Sequence, residues 1–378
     1  MAREKYFEFL TFFVNMTDPR VDRGKNHKLE DVIGLALCGI ICGADTWVDV
    51  ERLGVANEEW FRQYLELPQG IPSHDTLGRI FCRLDVQSFQ SCIGKWVEHL
   101  QFCLKGQTVA IDGKTVGGAC DKAKKQQALH LVSAWASQVN FCLGQVSVDS
   151  KSNEIPAVRE LLEILQLKGA VVTADAMHCQ KETAAAVIEK EANYIFQVKE
   201  NQPRLLESIQ ETFAEYETQN YESPEVRSAS INERNRTREE SRTCMVAPAP
   251  AHIRNSWKGA RTIGLIARMR RLSNGTEQTE ISYFLSSLPP RARQHAVQIR
   301  QHWSIENTLH HTLDVTFTED RSRIRKGHGQ EMISVFRRFA LSILKNDTTI
   351  KDNIRGKRRL AGWNVNYVKG ILLALQAN

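Results

Sequence analysis

The sequence lacks the patterns that define several large classes of protein. Its nine cysteines, spread over 378 residues, form no CxxC pair, which argues against a disulfide framework or a zinc site and fits a reducing compartment. The longest apolar run, residues 32–42, contains two glycines and is too short to span a bilayer. The first residues, MAREKYFEFLTFF, carry acidic side chains and no signal-peptide cleavage pattern. We therefore expect a cytoplasmic protein with no membrane partner.

Three common catalytic signatures are also absent. Residues 111–115, IDGKT, resemble the end of a phosphate-binding P-loop, but Thr108 stands where that loop needs its first glycine. Neither the HExxH pattern of zinc metalloproteases nor the GxSxG turn of serine hydrolases occurs. The chain is therefore not predicted to belong to any of these three enzyme classes.

Positive charge is concentrated in the last quarter of the chain. Residues 291–378 contain 16 Lys/Arg and 7 Asp/Glu, a net +9, whereas the whole chain carries only +6 and the preceding 290 residues sum to −3. A basic region of this kind predicts a polyanionic partner. The plain alternative is a solvated basic face without a partner.

The first hundred residues predict helices. Apolar residues recur at helical intervals in four segments, 29–43, 48–65, 74–84 and 86–104. We therefore predict a small all-helical domain over residues 1–105. It has the size of a helix-turn-helix DNA reader, but no basic stripe lies on one of its faces.

Strand patterns then take over and predict an α/β fold. Five candidate strands occupy residues 108–112, 129–135, 142–148, 170–175 and 194–198. Helical patterns follow the third and the fourth of them, so a three-strand meander continued by two crossovers gives a mixed five-stranded sheet with helices on its faces. This predicts a catalytic domain in two parts, 106–199 and 291–345, separated by a β-rich insertion, 200–290, and followed by a basic tail, 346–378.

Three acidic residues stand where phosphodiester chemistry needs them. Asp112 and Asp175 each end an apolar strand, and Glu306 lies in a predicted helix from about 293 to 313. A carboxylate at the end of a buried strand is costly unless a cation meets it. The first and fourth strands are neighbours in the predicted sheet, so the three acids predict a site for two Mg²⁺ ions about 3.5–4 Å apart. For Asp175, the plain alternative is a cap on the helix that follows.

The residues around the three acids also favour a site for phosphodiester chemistry. His302 and His310 lie four positions on either side of Glu306 and are expected to share its helix face, with Trp303 anchoring the opposite side. His302, Glu306 and His310 are also a candidate zinc set, although not at metalloprotease spacing. Lys114 is expected to contact a phosphate. A basic strip suited to a DNA backbone follows the helix and consists of Arg321, Arg323, Arg325 and Lys326.

At the level of whole motifs, the chain resembles the ISAs-type insertion-sequence transposases, the group that includes the H-repeat-associated proteins. The matching stretches run in order along nearly the whole chain: GIPSHDTLGRIF, VAIDGKT, KSNEIPAVRELLEILQLKGAVVTADAMHCQ, YIFQVKENQ, HWSIENTLHHTLDVTFTEDRSRIRKGHG and FALSILKND. The resemblance implies a ribonuclease-H-like catalytic domain interrupted by a β-rich insertion and preceded by a family-associated helical domain. It also implies a DDE triad at Asp112, Asp175 and Glu306.

The implied activity is DNA transposition. Such an enzyme binds the terminal inverted repeats of its element, cleaves the ends with Mg²⁺ (Mn²⁺ as a substitute) and joins the 3′-hydroxyl to target double-stranded DNA. The implied setting is a bacterial nucleoid, with a homodimer or larger assembly on DNA. The expected DNA contacts are Lys114, His302, His310, Arg321, Arg323, Arg325 and Lys326. Two rival functions are a nuclease without strand transfer and a transposase-derived DNA-binding protein.

The chain departs from related transposases around the third acid. The broader signature Tyr-x₂-Arg-x₃-Glu-x₆-Lys would place Arg at position 302 and Lys at position 313, where this chain has His302 and Leu313. The family usually has Trp where this chain has His311. All three acids are nevertheless present, so an active enzyme is expected.

Overall fold

The helical N-terminal region is built from short helices around an aromatic core. The structure is a computed structural model that describes residues 7–374, apart from 22, 24, 101–102, 120–127, 149–152, 236–237 and 273–276. A 3₁₀ turn (Glu8–Phe13) precedes α1 (Leu29–Ile41), α2 (Trp47–Ala56), α3 (Glu58–Phe61), α4 (His74–Phe81) and α5 (Val86–His99).

Local capping explains where these helices begin. Thr46 and Asp49 form a reciprocal capping box at the start of α2, and Ser73 caps α4. The predicted helix 48–65 is divided at Asn57 into α2 and α3. The predicted helix 86–104 ends at His99, and residues 101–102 lie outside the described part.

The predicted five-stranded mixed sheet is confirmed. Its strands are β1 (Thr108–Val116), β2 (Leu129–Ala136), β3 (Phe141–Ser147), β4 (Val171–Ala174) and β5 (Asn193–Val198), with α6 (Glu154–Ile164) and α7 (Lys181–Glu189) as crossovers. The order is β3-β2-β1-β4-β5, in which β1 pairs antiparallel with β2 and parallel with β4. This is the ribonuclease-H-like arrangement expected from the sequence.

The segment predicted as an insertion extends this sheet instead of forming a separate one. It contains α8 (Pro203–Thr218), β6 (Arg227–Asn235), β7 (Arg238–Pro248), α9 (Ala251–Ser256), β8 (Thr262–Leu272) and β9 (Glu277–Ser286). Strand β9 pairs antiparallel with β5, so that nine strands run in the order β3-β2-β1-β4-β5-β9-β8-β7-β6. The inserted strands are therefore fixed to the catalytic sheet by backbone hydrogen bonds.

A helical C-terminal region completes the fold. It contains α10 (Ala292–His302), a π-helical turn (Ile305–His310), α11 (His311–Val315), α12 (Gly329–Asn346), α13 (Ile354–Trp363) and α14 (Val365–Ala374). Helix α12 is buried between the two regions: Phe336 packs against Phe81 and Phe89, and Phe339 against Trp96 and Phe141. No described helix is both long and apolar enough to cross a membrane.

Part of the C-terminal basic charge lies inside the protein. Arg337, Arg338, Lys357 and Arg358 are all buried. Arg358 pairs with Asp45 at 3.0 Å and donates to the carbonyl of Ile40, which closes α13 against α1. These cations are engaged inside the fold, so the positive surface available to a polyanion is smaller than the net charge suggests.

Candidate active site

Strand pairing brings Asp112 and Asp175 together. The parallel pairing of β1 with β4 ends at Ile111 and Ala174, and the two aspartates are the next residue of each chain segment. The prediction that β1 ends at Asp112 is wrong: β1 continues to Val116, because its other edge stays paired with β2 and Asp112 lies opposite Ser133. Asp112 therefore sits on a strand that is held firmly on one side.

Asp175 begins the turn that follows β4. It precedes a short 3₁₀ turn, Ala176–His178, and its side chain makes no capping hydrogen bond there. Its carboxylate is instead 3.3 Å from Nε2 of His302. The carboxylate is about half exposed, so it faces the space beside the sheet and does not serve as a helix cap.

The helix that carries Glu306 is not the continuous α-helix that periodicity predicts. The structure shows α10, then the π-helical turn Ile305–His310, then α11. A π-turn inserts extra backbone into a helix and is found mostly at functional sites. It rotates the residues after Trp303, so that Glu306 and His310 face β1.

The two histidines do not flank one carboxylate, as expected, but serve different ones. His302 contacts Asp175 through Nε2 and Thr173 through Nδ1, at 3.0 Å. Nδ1 of His310 lies 3.5 Å from Asp112 and 3.8 Å from Glu306. The candidate zinc set of His302, Glu306 and His310 is thus not assembled, whereas ligand atoms of Asp112, Glu306 and His310 lie within 4.8 Å of one another.

The three acids of this group differ in their pKa, and only that of Asp112 is raised. Burial, followed by the hydrogen bond with Glu306 and the negative charge of Asp175, raises the pKa of Asp112 to about 8. The hydrogen bond from His302 lowers the pKa of Asp175, and that from His310 lowers the pKa of Glu306. Without a cation, the group keeps a proton that a set of carboxylates would otherwise release. Oxygen ligands with unneutralised charge fit a hard divalent ion such as Mg²⁺.

Lys114 lies in a different environment from the one expected. Its side chain is 9% exposed, and Nζ is paired with Asp314 and, at 3.0 Å, with the buried Glu319. A phosphate contact would require this ion pair to open. The sequence offered no sign of the pairing, because Asp314 and Glu319 follow 200 and 205 residues later.

The basic strip lies beside the far end of β1. Arg325 donates to the carbonyl of Gly118, just after the strand, and Asp320 accepts from the backbone N–H of Gly117. Arg321, Arg323 and Lys326 are exposed. The strip therefore lies where the chain leaves β1, and three of its four cations are exposed.

Two features of the site were not predicted. Trp303 does not anchor the helix but is 49% exposed, and it lines a cavity of about 430 Å³ together with Arg268 and Arg270 of β8. The second feature is Glu154, whose carboxylate lies against the backbone beside Asp112. A glycine directly after a buried aspartate was the one available signal for a close neighbour at that point.

Comparison with known proteins gives a consistent result. Residues 104–343 match the family model described as "Transposase DDE domain", and residues 10–97 match the model described as "DDE_Tnp_1-associated". A "Putative transposase YncI" of Escherichia coli O157:H7 is 36% identical over 368 residues, which cover 96% of this chain and 94% of the relative. The "H repeat-associated putative transposase YhhI" of Escherichia coli (strain K12) is 35% identical over 352 residues, which cover 92% of this chain and 92% of the relative.

One solved structure is also similar in part. A cryo-EM structure of a piggyBac transposase synaptic complex with hairpin DNA aligns with 98% of this chain and 77% of that chain, at 13% identity and a TM-score of 0.40.

Proposed function

Because the chain belongs to the family of transposases with a DDE domain, which includes the H-repeat-associated transposases, we propose that it binds and cleaves the ends of its insertion sequence. In this proposal it joins the freed 3′-hydroxyl to target double-stranded DNA. The observation that supports it is the grouping of Asp112, Glu306 and His310, whose ligand atoms lie within 4.8 Å of one another, with Asp175 close enough for its negative charge to help raise the pKa of Asp112.

The three acids would hold Mg²⁺, with Mn²⁺ as a substitute. When bound, the ions supply charge neutralisation and a water or 3′-hydroxyl of lowered pKa for an in-line displacement. Asp112 lies close enough to both other acids to feel their charge. His302 orients Asp175, and His310 orients Asp112 and Glu306, so that the carboxylates are held before substrate arrives.

DNA would approach along the basic strip. Arg321, Arg323 and Lys326 are exposed beside the end of β1 and are suited to contact phosphates without reading bases. His302 and Arg325 are held by protein contacts at the border of the site, where small movements would bring them to the backbone. We also propose that residues 106–199 and 291–345 form the catalytic unit, that 1–105, 200–290 and 346–378 flank or interrupt it, and that two or more chains assemble on DNA.

The substitution Asp175→Asn tests the catalytic assignment. We expect it to abolish metal-dependent cleavage of DNA carrying the element's ends, because an amide is a poor ligand for Mg²⁺, while binding of that DNA stays within about twofold. Asp75→Asn is the matched control, since the Asp75 side chain is 80% exposed and lies on α4. Nicking retained by Asp175→Asn at the wild-type rate would contradict the assignment.

The same assay separates the two rival functions. Cleavage by the wild type without joined strand-transfer products would identify a nuclease. Binding to DNA without any divalent-metal-dependent cleavage would identify a DNA-binding protein derived from a transposase.

A further inference from the structure

A fourth carboxylate, that of Glu154, lies next to the three acids and has no part in the proposed chemistry. Glu154 is the first residue of α6, and its side chain rests on Gly113, the residue after Asp112. A Cβ atom at position 113 would lie only 2.5 Å from Oε2 of Glu154. The absence of a side chain at Gly113 is therefore what admits this carboxylate to the backbone of β1.

Two histidines hold Glu154 in this place. Nε2 of His130, on β2, lies 2.6 Å from one carboxylate oxygen, and Nε2 of His178 lies 3.1 Å from the other. His178 ends the 3₁₀ turn that Asp175 begins and is almost completely buried. Glu154 thus touches the segment that follows Asp112 and, through His178, the turn that follows Asp175.

The hydrogen bonds of the cluster converge on an ionised Glu154. The hydrogen bond from His178 lowers the pKa of Glu154, so the carboxylate is ionised and each facing Nε2 donates to it. Nδ1 of His130 can then accept from the hydroxyl of Thr115, 2.7 Å away. Nδ1 of His178 has no hydrogen-bond partner among the described residues, so Glu154 is the acceptor that holds this ring.

The cluster acts where the backbone no longer holds the two aspartates together. The parallel ladder of β1 and β4 stops at Ile111 and Ala174, so no ladder hydrogen bond links Asp112 to Asp175. The turn after Asp175 is held on one side by Asn201, which donates to the carbonyl of Ala176, and on the other by the contact between His178 and Glu154.

We propose that Glu154, with His130 and His178, is a positioning residue that sets the spacing of Asp112 and Asp175 and thereby the affinity of the site for divalent metal. This inference rests on the proposed function, because it takes the two aspartates as metal ligands. Outer residues that orient metal ligands typically change metal affinity about 10- to 100-fold when removed. Glu154 contacts neither the metal ligands' carboxylates nor DNA in this role.

A purely structural role makes a different prediction. Glu154 stands in the first turn of α6, where an acidic side chain favours the helix through its dipole, and Asn153 already caps that helix. If this were its whole role, replacing Glu154 would lower the melting temperature and leave metal affinity unchanged. Metal affinity is therefore the measurement that separates the two roles.

The experiment compares the full-length wild type with Glu154→Ala, Glu154→Gln and Gly113→Ala. Binding of Mn²⁺ to the protein alone is measured by electron paramagnetic resonance, alongside thermal unfolding with a chelator and binding of end DNA. We expect Glu154→Ala to weaken Mn²⁺ binding about 10-fold or more, with DNA binding unchanged within about twofold. Glu154→Gln should weaken Mn²⁺ binding less than Glu154→Ala does, because the amide oxygen still accepts a hydrogen bond from one histidine.

Gly113→Ala should also weaken Mn²⁺ binding, because its methyl group would displace the Glu154 carboxylate. Glu163→Gln, an exposed position on the same helix, is the matched control and should bind Mn²⁺ like the wild type. If Glu154→Ala does not fold, Mn²⁺ binding by Glu154→Gln and Gly113→Ala is compared with that of the wild type instead.

Two results would overturn the inference. Mn²⁺ binding by the Glu154 and Gly113 variants equal to that of Glu163→Gln would overturn it alone and leave the proposed function intact. A wild type that neither binds Mn²⁺ nor cleaves DNA would overturn the proposed function and this inference together.

Discussion

Two carboxylates near strand β1 have opposite acid–base behaviour, although Glu319 is the more deeply buried and Asp112 is 15% exposed. Burial and neighbouring acids raise the pKa of Asp112 to about 8. Glu319 is completely buried, yet the cations Arg338 and Lys114 lower its pKa to about 2 against the opposing effect of burial. The residues that surround each group, and not its depth, therefore decide whether it keeps its proton.

The two carboxylates have neighbouring environments along β1. Asp112 and Lys114 are two positions apart and so lie on the same face of the strand. Lys114 is paired with Glu319 at 3.0 Å, and Arg338 donates to Glu319 at 2.8 Å. The fold thus places its nearby fixed cations on Glu319 and leaves Asp112 facing Glu306 and Asp175. Glu319 is therefore neutralised within the fold, whereas Asp112 is not, and a buried carboxylate with a pKa raised in this way is a candidate functional group.

The largest effect that this comparison predicts is on catalysis. Asp112→Asn should reduce DNA cleavage at least about 1000-fold, equivalent to about 4 kcal/mol, because a ligand to the catalytic metal is lost. The same variant should be no less stable than the wild type in the presence of a chelator, since an uncharged amide is not repelled by Glu306. Cleavage assays and urea unfolding at pH 8 measure the two quantities. A marked loss of stability would show that Asp112 is also a structural group.

Glu319→Gln, unlike Asp112→Asn, should mainly lower the free energy of unfolding. It leaves Lys114 and Arg338 buried without their shared partner, which typically costs about 3–5 kcal/mol. Urea unfolding gives the difference in the free energy of unfolding. Asp314→Asn is the matched control, because Asp314 pairs with the same Lys114 but is 36% exposed, and such pairs contribute about 1 kcal/mol or less. Equal losses in the two variants would contradict the distinction between the sites.

The adjacency of Asp112 and Asp175 could be predicted because it follows from strand order alone. Five local patterns define the strands, and the rules for crossover connections then make the first and fourth neighbours. Glu306 was predictable from helical periodicity, although the π-helical turn around it was not, since a π-turn has no clear signature in a short apolar pattern. That turn lies between the two histidines, which contact different aspartates.

Contacts between distant segments account for most of what the sequence did not reveal. The pairing of β9 with β5 joins segments about ninety residues apart, so the inserted strands looked like a separate unit. The tail residues Lys357 and Arg358 looked solvated by composition, but they find partners in Asp347 and Asp45 and are buried. Glu154 lies in a quoted motif, yet nothing in its local sequence indicates two histidines from other elements.

The smallest predicted effect concerns pH and follows from the sign of each shift. The folded pKa of Asp112, about 8, lies above its ordinary value of 3.8, so between these values the folded chain holds a proton that the unfolded chain has released. Stability from this group is therefore present below about pH 4 and is lost as pH rises towards 8. The pKa shift of Glu319 has the opposite sign, so its contribution to stability is lost only as pH falls from 4.5 towards about 2.

Between pH 6 and 8, then, Asp112 titrates in the metal-free protein while the Glu319 ion pair is unchanged. We expect the free energy of unfolding of Asp112→Asn, relative to the wild type, to increase by about 1 kcal/mol per pH unit over this range. Urea unfolding in chelator at pH 6, 7 and 8 measures this difference, and taking the difference removes the contribution of groups that titrate alike in both proteins. Glu319→Gln should keep a constant offset from the wild type over the same range. Parallel profiles for Asp112→Asn and the wild type would show that Asp112 carries no extra proton, because only a group whose protonation differs between the folded and unfolded chains can change the slope.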